Sequence, residues 1–574
     1  MKISQNRLPF LTFICKHNYS RLEQGSDKME KSCLNIEVVT VSCMEKLRAD
    51  NEWKMLEFRG VTLKNQKNRF QLVIKNKQVW ALYENRVVVT GDLVPYITLS
   101  VIDSVPAEYT FIAETDDYYL GGSGVYPDII RPYRHGDIVL PPRGNKCLWV
   151  CVEPKGTLPV GIHKIGFQIL DKDGKLMGET EYELEVIDAC LQSAPIKKTN
   201  WMHYDSICRM HSVEPFSLDF YKAFENYLAA YTRSGFNMLL TPIFTPALDT
   251  YVGGERMTAQ LIGVSKNGDN YTFDFSKLKD FLTFVFARGI EYIEFSHLFT
   301  QWGGEHCPKI MAIINGKEEK IFGWESDSLG EDYKVFLNAF LPELVAFIKR
   351  EGIESKCSFH ITDEPREEYL EHYKACRELV KKHIGDIPTM DALSHYEYYE
   401  KGLVDIPVPE LRHVGDFFKN NVQNMLVYNC CEPSDGYYSN RFINMPSQRT
   451  RVLGLQLYET NVNGFLHWGF NFYNSGLSYA AIDPYAVTNA GGAFPPGDGF
   501  IVYPNGDGVN LSIRSEMMSM AFEDYDLLYT LEKKIGKEKV LEILKNEGVF
   551  GYTIYPRDAS WHTTFIEKVK RLLV

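Results

Sequence analysis

The hexapeptide His360-Ile361-Thr362-Asp363-Glu364-Pro365 sets two carboxylates side by side at the end of a short strand-like run, Cys357–Thr362. Two carboxyl groups in different surroundings can divide the breaking of a glycosidic bond, one moving a proton and the other steadying developing charge. Successive side chains on a regular strand point to opposite faces. Both carboxylates can face one ligand only where the strand ends and the chain turns. Pro365, which has no N–H and restricts the residue before it, stops the strand there. The same letters also suit a helix start, because negative charge is favoured ahead of the helical run Glu367–His383.

The elements around this peptide set the wider expectation. From residue 201 onward, strand-like runs alternate with helical ones, the pattern of β/α architecture. Eight candidate strands are Trp201–Tyr204, Met238–Thr241, Tyr292–Phe295, Ser358–Thr362, Thr389–Ala392, Met425–Tyr428, Gly464–Trp468 and Gly499–Tyr503. Helical stretches cover Phe220–Ser234, Phe275–Arg288, Tyr333–Glu351, Glu367–His383 and Ile513–Ile535. Eight strands predict one (β/α)8 TIM-type barrel, whose strand ends converge on a single pocket. The residues placed there are His203 and Asp205; Ser296, His297 and Trp302; Asp363 and Glu364; Asp391 and His395; Tyr428 and Asn429; Trp468 and Asn471; and Tyr503. Asp363 and Glu364 are the catalytic candidates. His203, Asp205, His297, Asp391, Tyr428, Trp468 and Asn471 are the substrate-binding candidates. Trp468 is either core packing or a platform under a sugar ring; Tyr428 is either a satisfied core tyrosine or a donor to a ligand oxygen. The histidines lie on different strands without ligand spacing, so no metal and no cofactor is expected.

Residues 31–190 read as a β-sandwich of short alternating strands with turn signals such as Asp171-Lys172-Asp173-Gly174. Residues 191–200 read as a linker, and 201–574 as the barrel with carboxy-terminal helices. Residues 1–30 read as a tail: Lys2 and Arg7 precede the apolar stretch Leu8–Cys15, a poor export signal with no small-residue cleavage site, leaving localisation open. The formal net charge of −13 argues against nucleic acid as a partner. No apolar run approaches the roughly 18 residues of a membrane span. The 12 cysteines lack zinc-type spacing, and the adjacent Cys430 and Cys431 are poorly placed for a mutual bridge, so free thiols are expected.

HITDEP, the aromatic-Asn-Cys-Cys segment at Tyr428, FLHWGFNFYN, and GDGFIVYP followed by SIRSEMMSMAFEDYDLL occur in one order. Together they resemble the family 123 glycoside hydrolases from about residue 200 to 535, with that family's amino-terminal sandwich domain ahead of them. The resemblance implies a retaining β-N-acetylgalactosaminidase working by substrate assistance, in which the substrate's own 2-acetamido oxygen is the nucleophile. It implies Glu364 as general acid/base and Asp363 as the group orienting the acetamido group, with Trp468 and Tyr428 touching the sugar of a glycan or glycoconjugate. The alternatives are a sugar-binding barrel with little turnover and a glycosidase for sugars lacking the acetamido group.

Overall fold

The computed structural model describes residues 36–108, 115–134, 136, 138–268, 270–506 and 508–574; the tail reading of residues 1–30 lies outside them. The amino-terminal region is built from two sheets. One has seven strands in the order Ile36–Ser42, Asn68–Asn76, Asn145–Val152, Ile97–Ala107, Gly124–Pro132, Gly508–Ser512 and Tyr503–Asn505. The other has five, in the order Arg59–Leu63, Leu176–Ile187, Gly161–Leu170, Leu82–Thr90 and Ile138–Leu140. Period-two alternation turns Ile165, Phe167 and Ile169 inward. They share one apolar core with Phe70, Leu72, Leu148 and Val150 of the larger sheet.

The second region departs from the expected closed (β/α)8 barrel. Six parallel strands form one sheet, in the order Cys357–Phe359, Tyr292–Phe295, Met238–Thr241, Lys197–Asn200, Gly464–His467 and Val427–Tyr428. Met390–Ala392 and Ile406–Val408 form a separate parallel pair. Between these two sheets the described residues show isolated bridges, Phe359 to Thr389 and Glu410 to Tyr428. The residues themselves supply a reason. The strands are two to four residues long, and Pro388, Pro407 and Pro409 offer carbonyls but no N–H to a ladder.

Two expected strands moved. The first lies at Lys197–Asn200, inside the stretch read as a linker, and Tyr204 already begins the helix Tyr204–His211. The last, Gly499–Tyr503, joins neither parallel sheet. Tyr503 instead opens a hairpin whose second strand pairs with Gly124–Pro132 through Leu511–Ile130 and Ser512–Ile129. Ser512 then caps the helix Ile513–Ile535 in a reciprocal box with Ser515. That helix carries Arg514 to buried Asp128, and Glu516 and Glu523 to buried Arg69. The helices Leu218–Arg233, Ser276–Phe286, Glu331–Glu351 and Leu370–Ile384 bury Phe224, Phe281, Phe340 and Tyr373 in the large common core. No helix among the described residues is long and apolar enough to cross a membrane.

Candidate active site

The strand Cys357–Phe359 ends four residues before Asp363, and the chain then bends. Glu364 takes a left-handed backbone, φ +44°, which costs a non-glycine residue about 1–3 kcal/mol and persists only where neighbours enforce it. They do so here. The Glu364 N–H donates to the Ala392 carbonyl at 3.1 Å, and the Asp363 carbonyl accepts from Trp302 N–H at 2.7 Å. Trp302 is itself at φ +59°. The two carboxylates thereby line a cavity of about 240 Å³ with Trp201, Trp302, Tyr428, Trp468, Phe494, Asp249, Cys430 and Cys431.

The Tyr428 hydroxyl donates to Glu364 Oε1 at 2.6 Å. Enclosure by the cavity walls raises the carboxyl of Glu364, and the Tyr428 bond pulls it partly back. Asp363 is pushed well above the usual carboxylate range, by burial first and then by the charge of Glu364. Both carboxyls are thus shifted toward the protonated form, Asp363 further than Glu364. Asp249, from the loop after Met238–Thr241, is raised to about 6 by burial although its Oδ2 accepts from Leu477 N–H at 2.9 Å.

Behind each wall lies a buried histidine. His360 sits between Glu294 Oε2 at 2.8 Å and Asp391 Oδ1 at 3.3 Å. Burial opposes its charge, but the two carboxylates outweigh burial and push it up to about 9. Asp391 also accepts from Ile361 N–H at 2.9 Å and the Tyr373 hydroxyl at 2.6 Å, pinning the peptide that carries the pair. Glu294 accepts from the Trp201 ring N–H at 3.2 Å, fixing that ring on the cavity wall. On the other side, Trp468 donates its ring N–H to Asp498 at 3.0 Å. His467 takes a hydrogen bond from Arg441 at 2.7 Å and stays neutral, held far down by burial and then by that arginine.

The glycoside hydrolase 123 catalytic-domain model matches residues 201–531. The chain belongs to glycoside hydrolase family 123. A family 123 hydrolase from Clostridium perfringens, studied for glycolipid glycan hydrolysis, superposes with a TM-score of 0.71 at 14% identity, over 94% of this chain and 97% of its own; the likeness speaks for fold alone. β-Glucuronidases of Parabacteroides merdae and Bacteroides uniformis are each 10% identical. Their TM-scores of 0.29 and 0.28 cover 85% and 81% of this chain and 51% of each of theirs, too slight a likeness to argue from. No curated protein sequence matches the chain.

Of the nine catalytic and substrate-binding candidates, this family 123 hydrolase brings Asp363, Glu364, Tyr428 and Trp468 to the cavity, which Trp302, also placed at a strand end, lines with them. The other five do not line it. The Asn471 side chain binds the backbone of His203 twice, accepting from His203 N–H at Oδ1 (2.8 Å) and donating from Nδ2 to the His203 carbonyl (3.1 Å). Asp205 is paired with Arg256. Asp391 serves His360, and His297 stacks on His360 with ring centres 4.4 Å apart. His297, His360 and Asp391 offer donor atoms within 4.8 Å of one another, but both nitrogens of His360 are engaged by carboxylates. Asp249, Trp201, Asp498 and Phe494 carried no assignment. Asp249 lies in the loop beyond the second strand, where the strand-end rule points but where no candidate was named.

Proposed function

We propose that the enzyme is a retaining exo-glycosidase that removes a terminal β-linked N-acetylhexosamine, best N-acetylgalactosamine, from a glycan or glycoconjugate. Glycolipid glycans, the substrates in the Clostridium perfringens study, are the first class to test. The observation that carries this reading is the adjacent Asp363–Glu364 pair, both carboxyls shifted toward the protonated form, in an aromatic-walled cavity. At about 240 Å³ the cavity falls below the size of pockets for drug-sized ligands, which suits one terminal ring.

In the first step Glu364 gives its proton to the leaving oxygen while the acetamido oxygen attacks the anomeric carbon, forming a cyclic oxazolinium. Glu364 then takes a proton from water, which opens the ring with retained configuration. Asp363 accepts from the acetamido N–H and balances the positive ring. A donor to Asp363 favours its ionised form, so docking of the acetamido group favours the proton on Glu364, where the first step needs it. Trp201, Trp302 and Trp468 offer ring faces to the sugar.

Asp249 favours a second reading. A third carboxylate in the same cavity is a possible nucleophile for a sugar without an acetamido group, by the two-carboxylate route. A panel of aryl β-glycosides with and without the 2-acetamido group separates the two. Turnover confined to acetamido sugars supports substrate assistance. Equal turnover of plain galactosides, abolished by Asp249→Asn, establishes the alternative. Sugar binding without turnover of any member leaves a binding protein.

A further inference from the structure

Cys430 and Cys431 follow Tyr428 and Asn429 past the strand end, and both line the sugar cavity. Their Sγ atoms are 3.8 Å apart, so they are two thiols and not a bridge. Both are half-buried, whereas of the other eight described cysteines seven are buried and Cys190 is exposed away from the cavity. Two sulfurs bound to one tetrahedral zinc at roughly 2.3 Å each lie about 3.8 Å from one another. The pair already has that spacing.

The surroundings favour a cation. The carboxyls of Glu364 and Asp498 lie near both thiols, and that of Glu432 near Cys431; with burial they hold both thiols in the protonated form until a cation offsets them. Glu364 and Asp363 open onto the same cavity.

We propose that Cys430 and Cys431 form a dithiol site for soft divalent cations such as zinc or cadmium, and that its occupation closes the sugar cavity. Binding forms two metal–sulfur bonds, displaces two metal-bound waters, and releases one proton from each thiol to solvent. No electron is transferred. The blocking half of the proposal rests on the cavity being the hydrolytic site; the binding half does not.

The test uses the full chain carrying Cys15→Ser, Cys33→Ser and Cys190→Ser, so that these thiols cannot take up metal. Titration with cadmium chloride is followed by the ultraviolet thiolate-to-cadmium absorption, and hydrolysis of the best aryl glycoside is followed in parallel. One equivalent of cadmium is expected to develop the band and stop hydrolysis, with both reversed by a chelator. Cys430→Ser and Cys431→Ser are each expected to lose the band. Cadmium is also expected to shield Cys430 and Cys431 from alkylation by iodoacetamide, a reading that needs no variant at the pair and stands if a serine variant fails to fold. No band, a band surviving either substitution, or unshielded alkylation overturns the site. A band with undiminished hydrolysis overturns the blocking role. If no glycoside is turned over, the band and the alkylation still decide the site, while displacement of a bound amino sugar by cadmium decides the blocking.

Discussion

Each wall of the cavity rests on a buried histidine, and the two histidines carry opposite charge states. His360, one residue past its strand, has a carboxylate on either side and holds its proton to about 9. His467, the last residue of its strand, takes a hydrogen bond from Arg441 and has Asp498 Oδ1 3.3 Å from its other ring nitrogen; burial and then the arginine keep it neutral. Burial opposes the charge of both; the partners decide. The first cluster positions the groups that would do chemistry, through Ile361 and Trp201. The second positions a ring, through Asp498 and Trp468. Asp498 is pushed up to about 7, by burial against the pull of Arg441, so that cluster carries less firmly fixed charge.

Four outcomes would break or sharpen that contrast. Glu364→Gln removes the proposed proton carrier on the first wall. It is expected to lower kcat/KM by about 10²–10⁴-fold for poor leaving groups and far less for activated aryl ones, whereas Trp468→Ala on the second wall should act mainly through KM. Equal kcat losses from the two would erase the distinction. Glu294→Gln strips His360 of one carboxylate and leaves its charge under-compensated. Urea unfolding should register a loss of about 3–5 kcal/mol.

Asp498→Asn should cost about 1 kcal/mol, because an amide oxygen can still accept from Trp468 and a raised carboxyl gives up little on neutralisation. A penalty matching that of Glu294→Gln would show the two clusters to be alike. The last outcome is a slope rather than a single loss. His360 has a folded value of about 9 against 6.5 unfolded. Its contribution is fully present below pH 6.5 and drains away as pH rises to 9, by up to about 1.4 kcal/mol per unit. Urea midpoints measured across that window should fall in the native enzyme and fall less in Glu294→Gln.

The carboxylate pair was legible because it is contiguous, and because a proline after it forces the turn that aims it. Ile513–Ile535 was legible because a long segment announces its type, and Met238–Thr241 and Tyr292–Phe295 because each is a short apolar run set between helical stretches. Closure was not. The alternation of runs says that parallel strands exist, but not that Pro388, Pro407 and Pro409 stand where the ladder would continue, nor that Ile406–Val408 is a strand at all. Gly499–Tyr503 misled for another reason: an apolar run buried on both faces carries no mark of the sheet it serves. His203, Asp205 and Asn471 have the polar chemistry of a site, yet each meets a protein partner that no local pattern reveals: Arg256 for His203 and Asp205, and the His203 backbone for Asn471. Asp249 escaped because its loop joins Leu477 and Ser478, more than two hundred residues away.

The hairpin Tyr503–Ser512 has a practical consequence for anyone dividing this chain. It is stitched onto Gly124–Pro132 before the long helix leaves for the other region. A fragment stopped at residue 190 would show that strand as a bare edge, a template for pairing with its own copies. It would also leave the guanidinium of Arg69 and the carboxylate of Asp128 without the helix residues that neutralise them. Such a fragment should self-associate, whereas the intact chain covers that edge and satisfies both charges with its own later residues.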